Sequence, residues 1–222
     1  MSRLARTTPN SLSGTCTGFA TTPLSITCWV KLYGSVSSQV VSVGTVGSAN
    51  NYYFIGLSGT NLVQAGERDA ATTSTAQTAS APSNGVWHNL TAVFAAHNDR
   101  RIYFDGANKA TSAVARTCGA TTGIALMGDP VPTGDGWPLD LAHVALWNIA
   151  LSDADATQLY AIGPAAVQAA NLVEYWPLYG NKNPEPSTQT ANSLTVAAQY
   201  SPADPFANFS RLPYSTPVFM AA

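Results

Sequence analysis

Val86-Trp87-His88-Asn89-Leu90-Thr91-Ala92-Val93-Phe94, followed by Arg101-Ile102-Tyr103-Phe104 running into Asp105-Gly106, is the stretch that decides the fold. In the first run His88, Leu90, Ala92 and Phe94 share one parity, the two-residue period of a half-buried strand. Asp-Gly supplies the positive backbone angles of a tight two-residue hairpin, so the pattern predicts a turn at Asp105-Gly106 and a return strand from Ala107 onward.

The same period extends outward. Leu24, Ile26, Cys28, Val30 and Leu32 alternate with Thr27, Trp29, Lys31 and Tyr33, which predicts a strand over Leu24 to Tyr33. Shorter strands are expected at Gln39 to Val43, Tyr52 to Leu57, Leu62 to Gly66, Gly123 to Met127, Leu139 to Trp147 and Leu172 to Leu178. Ala70 to Asn84 is small and polar and reads as a long loop or an edge. Ser152-Asp153-Ala154-Asp155 has the form of a capping box and opens a short helix to about Ile162, ended by Gly163-Pro164.

Composition narrows the class. Of 222 residues, 45% are hydrophobic and 10% charged, against a usual charged share of about 25%, which argues against helical bundles and coiled coils. A net charge of -2 offers no basic stripe for a phosphate backbone, so no nucleic-acid partner is expected. No apolar run approaches the roughly 18 residues of a membrane span, and Ser2 to Pro9 lacks the apolar core of a signal peptide. No membrane partner and synthesis in a host cytoplasm are the expectations. Cys16, Cys28 and Cys118 show no C-x-x-C spacing and read as free buried thiols, with a Cys16 to Cys28 bridge as the alternative.

Residues 1–22 and 181–222 read as extended arms flanking a domain over 23–180, with one further strand expected at Ser193 to Gln199. The last arm carries Phe206, Phe209, Tyr214 and Phe219, more aromatics than a solvated linker holds, and these are expected to pack against something.

Four segments together carry a resemblance: Ile26-Thr27-Cys28-Trp29-Val30, Gly85 to Phe94, Arg101 to Gly106, and Ala142-His143-Val144-Ala145-Leu146-Trp147-Asn148-Ile149-Ala150-Leu151-Ser152. In order and spacing they resemble the laminin-G-like domains of the concanavalin A-like lectin and glucanase sandwiches, over roughly Pro23 to Leu178. The resemblance implies an all-β fold, two antiparallel sheets packed as a jelly roll with the arms outside. Many such domains hold calcium at the rim, and here acids gather only at Asp129, Asp135 and Asp140. The prolines and glycines of that loop also fit ordinary turn chemistry, so no metal and no cofactor are assigned.

Fold alone leaves the function open. Glycan hydrolases of this superfamily place acids alternately on one strand, and the nearest approach is Glu67-Arg68-Asp69, which lacks a third carboxylate and reads as a solvated turn. His88 and His143 share strand parity with core residues and read as hydrogen-bonded core histidines, and no serine sits in a G-x-S-x-G elbow. No catalytic residue is assigned. Trp137 is the best placed ring for a sugar platform, whereas Trp29, Trp87, Trp147 and Trp176 are expected to fill the core.

The leading expectation is a non-enzymatic virion component, such as a capsid decoration or cement protein of a bacterial virus. It would bind capsid or other virion proteins and copies of itself through arm residues Arg3, Leu4, Arg6, Phe206, Phe209, Arg211, Tyr214 and Phe219. The alternative is a lectin-like or host-receptor-binding module whose partner is a glycan.

Overall fold

The computed structural model describes residues 12–16, 21–45, 48, 50–128 and 138–178. Within them twelve strands form two six-stranded antiparallel sheets. One sheet has the order β1 (Leu12–Thr15), β10 (Gly123–Leu126), β3 (Ser38–Gly44), β4 (Asn51–Leu57), β5 (Val63–Asp69) and β6 (Thr72–Gln77). The other runs β12 (Leu172–Trp176), β11 (Leu139–Trp147), β2 (Leu24–Leu32), β7 (Trp87–Ala96), β8 (Asp99–Phe104) and β9 (Ala110–Ser112). This is the all-β jelly-roll sandwich expected from the alternating pattern.

The alternation places the core. Leu24, Ile26, Cys28, Val30 and Leu32 of β2 face Tyr53 and Ile55 of β4 and Val63 and Ala65 of β5 between the sheets, all at most 2% exposed. A second cluster lies on the outer side of the β12-to-β9 sheet. There α1 (Asp153–Ile162) sets Ala156 and Leu159 against Val93, Tyr103, Ala145 and Trp147. Trp147 and Trp176 fill core as expected, whereas Trp29 is covered on the outer face by a stacked Tyr160 at 5.7 Å and Trp87 is only half-buried. The three cysteines are free and buried, so the Cys16 to Cys28 bridge does not form. Burial pushes the thiols of Cys16 and Cys118 up to about 12, which keeps both protonated.

The capping box is present as read: Ser152 Oγ accepts from Asp155 N at 3.1 Å, and Asp155 Oδ2 accepts from Ser152 N at 2.8 Å. Burial alone would raise the pKa of Asp155, but the bonds from Ser152 and Gln168 hold it below the usual carboxylate range. A depressed folded pKa contributes stability above the unfolded carboxylate range and loses it as pH falls through the folded value. Ser152→Ala should therefore cost about 1 kcal/mol at neutral pH. The gap to wild type, read from urea midpoints, should narrow in acid.

Two expectations are corrected and one open alternative is decided. Leu12–Thr15, assigned to an arm outside the sandwich, pairs with β10 from Leu12↔Leu126 to Thr15↔Gly123, and Cys16 follows it into the core. Of the two readings of Ala70 to Asn84 the edge holds, because Thr72–Gln77 forms the edge strand β6. Asp105 and Gly106 do adopt positive φ, with Ala107 N donating to Phe104 O at 3.3 Å, but β8 and β9 pair only from Ile102↔Ala110 outward. The tight turn itself is as read, and the return strand starts at Ala110 rather than Ala107; Asp105 also accepts from Asn89 N on β7, and Gly106 lies so near α1 that a Cβ there would meet Tyr160 Cβ at 2.8 Å.

A second tight two-residue turn, not expected from the sequence, lies between Asp69 and Thr72, where Ala70 and Ala71 take φ of 45° and 70°. The left-handed region costs an L-residue with a Cβ roughly 1–2 kcal/mol. Glycine avoids that cost but loses more entropy on folding, so Ala71→Gly should stabilise the domain by about 0.5–1 kcal/mol in urea unfolding.

Candidate functional site

The outer face of the β1-to-β6 sheet carries an open groove of about 480 Å³. Register builds it. Gln39, Gly56, Gln64 and Gln77 lie in one row across β3, β4, β5 and β6, and Phe54, Gly66 and Thr75 lie in the next. Phe54 has room because both glycines lack side chains: a Cβ on Gly66 would fall 2.0 Å from Phe54 Cζ, and one on Gly56 would fall 3.1 Å from Phe54 Cδ2. The ring makes an apolar floor between Gln39, Gln64, Thr73 and Thr75, with Ser37 and Ser38 at one end. Gln64 Nε2 donates to Gln77 Oε1 at 2.6 Å, and Gln39 Nε2 donates to the Tyr52 hydroxyl at 3.4 Å. Amides and hydroxyls around an apolar floor suit a polyhydroxylated ligand. The sequence reading missed this site, because its parts come from four strands. The one legible signal was the pair of glycines on strands otherwise rich in larger residues.

Glu67 is not in a solvated turn. It sits on β5 with Ala65 and Val63 facing the core, and it is fully buried. Arg100, equally buried, donates Nη2 to Glu67 Oε2 at 3.2 Å and to the carbonyls of His97 and Val114, and Nη1 to Ser74 Oγ. His97 Nδ1 lies 2.8 Å from Glu67 Oε1, which also accepts from Cys118 N at 2.9 Å. Burial pulls the Arg100 pKa below its ordinary value while Glu67 opposes the shift. A carboxylate held this way cannot reach a glycosidic bond, so the Glu67 and Asp69 pair fails as hydrolytic machinery for a reason other than the expected one.

His88 joins Ser83 to Asp105. Its Nε2 lies 2.9 Å from Ser83 Oγ and accepts from Ser83 N at 3.1 Å, while Nδ1 lies 2.8 Å from Asp105 Oδ2. The backbone amide can only donate, so Nε2 is unprotonated and Nδ1 donates to Asp105. The connectivity is that of a serine hydrolase relay. The Nε2 lone pair is nevertheless shared with a backbone amide, which makes the ring a clamp between the Ser83 loop, β7 and the Asp105 turn. His143 is buried with Nδ1 2.6 Å from the Tyr175 hydroxyl. Both histidines are thus hydrogen-bonded core residues.

Asp140 is buried on β11 and accepts from the Tyr33 hydroxyl at 2.5 Å. Asp129, Asp135 and Trp137 lie outside the described residues, as do the expected strand at Ser193 to Gln199 and the arm residues Arg3, Leu4, Arg6, Phe206, Phe209, Arg211, Tyr214 and Phe219. Among the described residues no three His, Cys, Asp or Glu side chains are grouped to hold a metal ion. Asn89, the acceptor of an apparent glycosylation sequon, is fully buried and bonded to Thr27.

A laminin-G family model of the concanavalin A-like lectin/glucanases superfamily matches residues 6–157, and the chain belongs to that superfamily. Among solved structures it is similar to the native heptameric SAP-like pentraxin from Limulus polyphemus, at 12% identity and a TM-score of 0.64 over 90% of this chain and 93% of the other. It is also similar to the CBM40 of the Ruminococcus gnavus IT-sialidase bound to α2,3 sialyllactose, at 12% identity and 0.54 over 72% and 97%. The binding domain of botulinum neurotoxin serotype G matches at 13% and 0.55 over 72% of this chain and 42% of that one. At these identities the likeness is one of fold. No curated protein sequence matches the chain.

Proposed function

We propose that the domain is a non-catalytic, lectin-like module that binds a glycan in the groove across β3, β4, β5 and β6. The observation that carries this reading is the floor of Phe54, seated in the space left by Gly56 and Gly66 and edged by Gln39, Gln64 and Thr75. A sugar offers an apolar ring face and a rim of hydroxyls, and this lining offers the complement of both. The resemblance in fold to a carbohydrate-binding module solved with a bound oligosaccharide supports it. A glycan array with the full chain tests it: groove-dependent binding is expected, and binding to no glycan overturns it.

A second reading rests on the arms. Phe206, Phe209, Tyr214 and Phe219 are too many rings for a solvated tail, which favours an assembly role in which capsid or other virion proteins and copies of this chain bury them. The two readings are compatible, since a particle-bound lectin uses the arms for one partner and the groove for the other. Removing 200–222 should leave a folded sandwich that no longer sediments with its particle. Full occupancy of the particle by the truncated chain counts against the assembly role.

A further inference from the structure

We infer that the groove selects neutral saccharides and holds them without a metal ion; the inference rests on the glycan-binding reading above and names its ligand class. Among the described residues no lysine, arginine, histidine, aspartate or glutamate lines the groove. Calcium takes six to eight oxygens, several from carboxylates. The acids on the neighbouring strand do not supply them: Glu67 points to the core and is held by Arg100, and Asp69 closes the strand, where its Oδ2 accepts from Thr117 N.

The hydrogen-bonding sense points the same way. Gln64 and Gln39 use one amide hydrogen each on Gln77 and Tyr52, so each keeps a second amide hydrogen to donate and its Oε1 to accept, the mixed set that a hydroxyl can meet in both senses. A sugar hydroxyl donates to such an oxygen. A carboxylate, sulfate or phosphate has only acceptor oxygens, so it uses the donors alone, leaves the Oε1 acceptors unmet, and finds no cation among the described lining residues to offset its desolvation. Among the described residues of the sheet the nearest cation, Arg68, pairs across the strands with Thr73 at the groove's edge, but it sits over the Tyr52 ring at 5.9 Å and is not part of the lining. The ligand class therefore differs from the sialylated sugar held by the R. gnavus module.

The test is binding of the full chain to a panel of neutral, sialylated and sulfated oligosaccharides, each with calcium and with EDTA, at low and high salt. Neutral ligands should bind equally in calcium and EDTA, with little salt dependence because no exposed charge pair is formed. Gln64→Ala should weaken that binding about tenfold, the worth of one to two hydrogen bonds, and Arg68→Ala should leave it unchanged. Gln64 is partly exposed, so its variant is expected to melt as wild type does, and Thr73→Ala on the edge strand serves as a second groove variant. Preference for sialylated or sulfated ligands, or loss of binding in EDTA, with Gln64→Ala still harmful, overturns neutral selection and leaves the groove in place. Binding to no glycan, or binding indifferent to both groove variants, overturns this inference together with the reading beneath it.

Discussion

Arg100→Met should destabilise the domain by about 3–5 kcal/mol, the usual loss when one partner of a buried ion pair is removed. The guanidinium is fully buried and donates to Glu67, to Ser74 Oγ and to the carbonyls of His97 and Val114. Methionine fills much of the volume but donates nothing. Glu67 is then left in the core with only His97 and the Cys118 amide, and two carbonyls lose a donor. The double variant Arg100→Met with Glu67→Gln should recover part of the loss, because the uncompensated charge is gone. Equilibrium urea unfolding of the single and double variants closes the cycle. A loss under about 1 kcal/mol for Arg100→Met would show that the pair is not the staple its burial indicates.

The largest effect on binding is expected from one added methyl group. In Gly66→Ala the new Cβ meets Phe54 Cζ at 2.0 Å and Cε1 at 2.2 Å, far inside contact distance. The backbone of β5 is held on both sides by β4 and β6, so the ring has to move. Phe54 is 5% exposed and has little room to swing. The cost of such overpacking is about 1–3 kcal/mol. Displacing the ring also removes the groove floor, so glycan affinity should fall at least about tenfold, more than the change in stability by itself explains. Gly119→Ala is the matched control, since nothing lies within 4 Å of its added Cβ, and it should change neither property. Normal binding by Gly66→Ala would mean that the ligand does not rest on Phe54.

What was legible in the sequence was local. The strand over Leu24–Leu32 was readable because burial on one face imposes a two-residue period on the residues themselves. The start of α1 was readable because Ser152 and Asp155 satisfy each other three residues apart. The resemblance was carried by four segments, Ile26 to Val30, Gly85 to Phe94, Arg101 to Gly106 and Ala142 to Ser152, and the family match over residues 6–157 bears it out.

Where local preference and register disagreed, register prevailed. Asp105-Gly106 has the residues of a tight turn and makes one, yet the strand that follows pairs only from Ala110, because Asn89, His88 and α1 hold the turn. Ala70-Ala71 lacks those residues, yet it makes a two-residue turn because the pairing of Asp69 with Thr72 leaves no other path. The sequence by itself determined the strands with an apolar period, which face of each is apolar and where the helix begins, because each follows from neighbours within a few residues. The tertiary structure decided that Leu12–Thr15 joins the sheet beside β10, that Glu67 finds Arg100, and that Gln39, Phe54, Gly66 and Thr75 meet in one groove. Those outcomes depend on strands far apart in the chain coming into register, and neither the period of a single strand nor the chemistry of a single residue encodes which partner lies across the sheet.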